Sequence, residues 1–213
     1  MLNIFIIALC LIPIVYYIFK LRDFKSNTKT MVIIALFAGV HFCLSKIQFI
    51  QYPQGGGIDL LSSLPILMVG ILYGPTIGMT CGLVSGLIIL LGEQLFIVHP
   101  AQFLLDYILP TILLGLSGIC GSEKKSKIFL GCLIVLVFKV TVHVISGCVY
   151  FYEYAPVGWS PLAYSLVYNL TGEGIEVLLS SVVITIIPIV KIMKMANINT
   201  VNKCKGEYYG KNK

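Results

Sequence analysis

Apolar stretches long enough to cross a bilayer recur along most of this 213-residue chain. The hydrocarbon core of a membrane is about 30 Å thick, which a helix covers in roughly 20 residues. In that solvent every backbone N–H and C=O must be satisfied internally, so only helices and closed barrels span it. A transmembrane barrel reads as short alternating segments, whereas the apolar runs here are continuous. With 58% of residues hydrophobic and 11% charged, the chain is far more apolar than a soluble domain. The expected fold is an all-α, polytopic helical bundle in a membrane.

Seven spans follow from the punctuation. Leu2 to Phe19 precedes Lys20, Arg22, Lys25 and Lys29, the reverse of a secretory signal, and reads as a retained helix. Thr30 to Ile47 is the second span, with Ala35 and Gly39 as a small-xxx-small pair suited to close helix contact. His41 on that span reads as a satisfied interior histidine without an assigned role. Gln48 to Asp59 contains a proline and three consecutive glycines and reads as an external loop, mobile and able to cover a pocket. Leu60 to Leu72 turns at Gly74 and Pro75 into Thr76 to Leu91. There Gly78, Gly82 and Gly86 form a ridge that admits another helix. An external loop over Gly92 to Pro100 follows, then Ala101 to Gly118, Ile128 to Tyr150 and a long last span from Pro161 to Val190.

The formal charge of +6 sits mostly at span ends. One basic cluster follows the first span, a second holds Lys124, Lys125 and Lys127, and a third starts at Lys191. Basic residues stay on the cytoplasmic side beside anionic lipid. All three clusters fall on one face if the N-terminus is outside and the C-terminus inside. Lys46, Asp59, Glu93 and Glu153 then lie opposite. This pattern argues for the lipid bilayer and against nucleic acid as the partner. The seven cysteines include no CxxC pair and no Cys/His cluster, so no disulfide framework and no metal site is expected; nor is a cofactor expected.

Polar residues inside the spans mark the candidate site, because an ionisable group costs about 2.5–3.5 kcal/mol at the bilayer centre unless it pairs or meets water. Counted from the external ends at 1.5 Å per residue, Asp106 lies about 9 Å deep, His143 about 10 Å, Asn169 about 12 Å and Lys139 about 16 Å. Lys139 and His143 share a helix face, and Tyr107 adjoins Asp106. Tyr150, Phe151, Tyr152, Tyr154, Trp159, Tyr164 and Tyr168 crowd the same level, partly as an interfacial belt and partly as rings for a flat or cationic solute. Glu173 and Glu176 lie deeper, where Lys139 or Lys46 can pair with them.

The run Lys139-x3-His143-x2-Ser146-Gly147, continued by YFYEYAPVGWSPLAYSLVYN, resembles the thiamine-specific S component of energy-coupling factor (ECF) transporters. QFLLDYILPTILLGLSG, residues 102 to 118, is similar to another stretch of that family. The resemblance implies a six-helix substrate-binding core, here with one extra N-terminal helix, in the plasma membrane of a prokaryote. It implies high-affinity capture of thiamine from outside by a subunit that is no enzyme and works with a transmembrane coupling subunit and two cytoplasmic ATPases. Asp106 would face the aminopyrimidine beside Tyr107. His143 and Asn169 would hydrogen-bond the ligand, Tyr164 and Phe151 would supply rings, and Lys139 and Gly147 would complete the pocket. Ala35 and Gly39 fall where the family docks its coupling subunit. Phe151 stands where a tryptophan is expected, and Asp106 where some members carry glutamate. The implied organisation is an extra helix and linker over 1–27, a membrane domain over 28–194 and a disordered basic tail over 195–213.

The rival readings are an S component for another vitamin or a thiamine precursor, and an intramembrane enzyme. The enzyme reading lacks an HExxH, a paired acidic motif or an activated nucleophile. A self-sufficient secondary transporter would show repeated broken helices in two halves, and no internal repeat is present.

Overall fold

A computed structural model of the chain describes residues 2–22, 27–54, 56–90, 96–196 and 198. The expected external position of Glu93 and the basic tail beyond residue 198 lie outside the described residues. Helix α1 covers Leu2–Arg22 and α2 covers Thr28–Ser45. Strands β1 (Gln48–Gln51) and β2 (Gly57–Asp59) follow, then α3 (Ser63–Tyr73) and α4 (Pro75–Ile89). The remaining helices are α5 (Pro100–Cys120), α6 (Lys125–Tyr150), α7 (Pro161–Ile186) and α8 (Ile189–Met195). Among the described residues, four helices, α2, α5, α6 and α7, are long and apolar enough to cross a membrane. At 11 and 15 residues, α3 and α4 reach only about 17 and 22 Å, short of a straight crossing.

Local chemistry sets the boundaries. Asn27 caps α2, its side chain accepting the Thr30 N–H at 2.8 Å. His99 and Ser160 cap α5 and α7 in the same way, each ahead of a proline whose missing N–H costs nothing at a first helical position. Gly74, at φ 93°, makes the corner between α3 and α4. The last span is shorter than expected: α7 stops at Ile186 and Pro188 precedes a separate α8, because proline cannot continue the hydrogen-bond ladder.

The segment Gln48 to Asp59 is not an irregular loop. It folds as an antiparallel hairpin in which Ile50 opposes Ile58 and Gln51 opposes Gly57. Branched Ile50 and Ile58 suit paired strands, and Pro53 and Gly56 fall between the strands.

The core is apolar, as in a soluble protein, but so is much of the surface, and many serines lie inside. Met31, Val32, Leu36, Val137, Phe138, Leu178 and Val182 are exposed, while Ser63, Ser85, Ser117, Ser146, Ser180 and Ser181 are buried. Lipid accounts for both: it accepts the apolar faces and excludes hydroxyls, and those of Ser63, Ser117, Ser180 and Ser181 donate to partners inside the bundle.

The expected glycine ridge is the seam of the bundle. A Cβ on Gly78 would run into the Gly115 carbonyl, and one on Gly82 into the Thr111 carbonyl; a Cβ on Gly86 would lie 2.8 Å from the Tyr107 carbonyl oxygen. The backbone of α5 thus lies directly on α4, and that approach holds Tyr107 and its neighbours in place. Gly82→Ala is expected to destabilise the fold by about 1–3 kcal/mol through overpacking. Thermal unfolding in detergent checks this, and an unchanged midpoint would show that the two helices part freely.

Candidate functional site

Two widened helical turns carry two of the acidic residues of the site, Asp106 and Glu173. In α5, residues Leu104–Ile108 form a π-helical turn in which the Leu109 N–H reaches back to the Leu104 carbonyl. Its cause is Pro110: with no N–H and a bulky ring, it cannot serve the carbonyl four residues earlier, that of Asp106. The extra residue in the turn swings Asp106 and Tyr107 away from the register of the rest of the helix. In α7, Leu170–Gly174 forms a second π-helical turn and carries Glu173. Such turns inside α-helices recur at functional sites.

Between these turns lies a cavity of about 180 Å³. All eight residues expected at a substrate site border it: Asp106, Tyr107, Lys139, His143, Gly147, Phe151, Tyr164 and Asn169. The Asp106 carboxylate accepts from Gln102 Nε2 at 2.7 Å and lies 3.4 Å from His143 Nδ1. Gln102 also donates to the Phe96 carbonyl and accepts from the Val98 N–H, so the chain leading into α5 fixes the acid. Asn169 donates to the Ser165 carbonyl at 2.8 Å, and Ser165 donates to the Val144 carbonyl at 3.0 Å. This tie between α6 and α7 needs Gly147, because a Cβ there would strike the Ser165 side chain. Phe151 lies 6.0 Å from Phe96 and 6.2 Å from Tyr154, ring centre to ring centre.

Deeper in, Lys139 Nζ meets Glu173 Oε2 at 2.5 Å and donates to Ser63 Oγ at 3.4 Å. Ser63 in turn donates from its hydroxyl and its backbone N–H to Glu176, which also accepts from Ser180. The expected pairing of Lys139 with a deep acid is therefore with Glu173, while Glu176 is held by hydroxyls and lies outside the cavity lining.

The hairpin closes the outer side. Tyr164 donates to Gln54 Oε1 at 3.3 Å, Tyr168 accepts the Gly56 N–H at 3.3 Å, and Tyr52 packs edge-on against Tyr168 at 4.9 Å. Asp59 on β2 also borders the cavity. Burial and the nearby Glu173 carboxylate push its carboxyl pKa up, against hydrogen bonds from Ser62.

Of the aromatic cluster, Phe151, Tyr164 and Tyr168 border the cavity. Tyr152, Tyr154 and Trp159 are exposed, and Tyr150 stacks on His99 at 5.4 Å. Ala35 is exposed and Gly39 half-buried with open space around its Cα, so the pair lies apart from the cavity on an uncovered stretch of α2. Four residues with no site role expected from the sequence also border it, His41, Gln54, Asp59 and Gln102, as do the ring of Tyr168 and the deep acid Glu173. Gln102, one turn before Asp106, was the visible signal among them. His41 is not the satisfied interior histidine expected, since its Nε2 makes no hydrogen bond among the described residues.

Residues 31–196 match the family described as thiamine transporter protein (Thia_YuaJ). The chain belongs to this family. It is 32% identical over 168 residues to the thiamine transporter ThiT of Bacillus subtilis (strain 168), covering 71% of this chain and 81% of that protein. The solved structure of ThiT from Listeria monocytogenes superposes with a TM-score of 0.67 at 24% identity, over 80% of this chain and 97% of that one; that likeness concerns the fold. As a member of the thiamine transporter family the chain is a multi-pass membrane protein of a transport system, and the intramembrane-enzyme reading falls.

Proposed function

We propose that this protein is the thiamine-binding S component of an ECF-type transporter in a prokaryotic plasma membrane. It captures thiamine from outside in the cavity between α5, α6 and α7. Asp106 faces the aminopyrimidine with Tyr107 beside it, His143 and Asn169 hydrogen-bond the ligand, and Phe151 and Tyr164 supply rings. Lys139 and Gly147 complete the wall. Family membership supports the substrate. The observation that carries the site is the cavity lining, whose described residues include three carboxylates (Asp59, Asp106 and Glu173) and a single lysine. A net-acidic cavity with aromatic walls favours a flat cation over neutral or anionic solutes.

Seven crossings with the N-terminus outside and the C-terminus inside fit the basic clusters. Residues 28–194 form the six-helix core, 1–27 an additional helix with its linker, and 195–213 a cytoplasmic tail. The chain has no ATPase motif of its own, so uptake rests on a coupling subunit docked over Ala35 and Gly39 and on two ATPases.

Titration calorimetry of the purified protein with thiamine, its phosphates, riboflavin and biotin tests the reading. Thiamine is expected to bind tightly, while riboflavin and biotin give no heat. Tight binding of another vitamin without any thiamine species would remove the substrate assignment. ATP-dependent uptake by this chain alone in liposomes would remove the subunit assignment.

A further inference from the structure

The cavity floor holds a histidine for which the residues discussed so far leave no task. His41 is 3% exposed, and its Nδ1 lies 2.6 Å from the Ser62 carbonyl. A carbonyl only accepts, so Nδ1 carries the ring hydrogen and a neutral ring presents a lone pair at Nε2. That atom is buried without a partner among the described residues, and His41 borders the cavity. An acceptor at such depth is costly unless a bound group supplies the hydrogen.

Its neighbours have the same polarity. Ser62, whose carbonyl holds His41, also donates its N–H to Asp59 Oδ1 at 3.1 Å. Asp59 and Glu173 both border the cavity. The donor among them is Lys139, set between Glu173 and Ser63. The floor therefore offers several acceptors beside one donor.

We propose that this floor is a specificity-determining subsite for an aromatic amine and its adjoining ring nitrogen. His41 Nε2 and Glu173 accept from the amine, and Lys139 donates to the ring nitrogen. The assignment rests on the thiamine reading and deepens it by adding two residues, His41 and Glu173, to ligand recognition. An aromatic amine has two hydrogens and a lone pair delocalised into the ring, so it meets two acceptors without presenting one. A hydroxyl donates once and brings lone pairs against the carboxylates. A phosphate brings acceptors and negative charge together. In the aminopyrimidine of thiamine the amine and one ring nitrogen share an edge, and the second ring nitrogen lies opposite. Lys139 and His143 are one helical turn, about 6 Å, apart. The floor and the Asp106–His143 level thus engage one ring from two edges.

The test compares thiamine with oxythiamine, in which a carbonyl replaces the amine and the adjoining nitrogen carries the hydrogen, so donor and acceptor trade places. Affinities are measured on the full-length protein in detergent. The wild type is expected to prefer thiamine. His41→Phe keeps the ring volume and removes both nitrogens, and is expected to cut that preference about tenfold. Glu173→Gln converts one acceptor of the floor into a donor and is expected to cut it as well. Reading a ratio within each variant cancels any loss of folded protein. An unchanged ratio in both variants, with thiamine and oxythiamine weakened equally, overturns the subsite. A wild type that binds no thiamine fails earlier, in the first titration, and overturns the proposed function instead.

Discussion

Asp106→Ala is expected to weaken thiamine binding by about a hundredfold or more, the usual scale for truncating one partner of a buried, hydrogen-bonded charge contact. The carboxylate is held on two sides before any ligand arrives, by Gln102 at 2.7 Å and by His143 at 3.4 Å. Held in this way, it loses little side-chain freedom on binding, so more of its attraction for a cation survives as affinity. The fold should survive the change, because Gln102 keeps its bonds to the Phe96 carbonyl and the Val98 N–H. Asp106→Asn separates charge from shape: its amide oxygen can still accept from Gln102, but the negative charge is gone. Calorimetry on the two variants should rank wild type, Asn and Ala in falling affinity, with the thermal midpoint of each near wild type. An alanine variant that binds within about threefold of wild type would exclude Asp106 as a ligand contact.

Much of this site was legible because lipid makes polar residues conspicuous. Asp106, Lys139, His143 and Asn169 stand out in apolar spans, and helical rise alone put three spans at one depth. The glycine ridge on α4 was legible for a similar reason, since four-residue spacing of glycine has few other uses in a membrane helix. The hairpin was hidden by its own turn: Pro53 and the glycines dominate the composition, while the strands are three and four residues long. The two π-helical turns were hidden because one added residue leaves no mark on hydrophobic spacing. Pro110 four residues after Asp106 was the available clue. His41 and Glu173 were visible as intramembrane polar groups but not as neighbours, because α2 and α7 are far apart in sequence and only the folded bundle brings both to the floor.

Lys139→Met is expected to produce the largest loss of stability of any single change at the site. Lys139 is 6% exposed and bonds to Glu173 and Ser63, the latter leading on to Glu176. Removing the cation leaves two carboxylates close together in an enclosed region without a compensating charge. Breaking one side of a buried ion pair costs about 3–5 kcal/mol, mostly because the remaining charge is stranded. For a chain of this size that corresponds to a fall in midpoint on the order of 10 °C, measured in detergent without ligand. Glu173→Gln in the same molecule removes one stranded charge, so the double variant should recover a large part of the loss. That recovery distinguishes an ion pair from mere packing, since a methionine that simply fits badly would fit no better beside glutamine. Equal midpoints for Lys139→Met and wild type would mean that water or a protonated carboxyl already neutralises the floor. The pair would then serve the ligand alone.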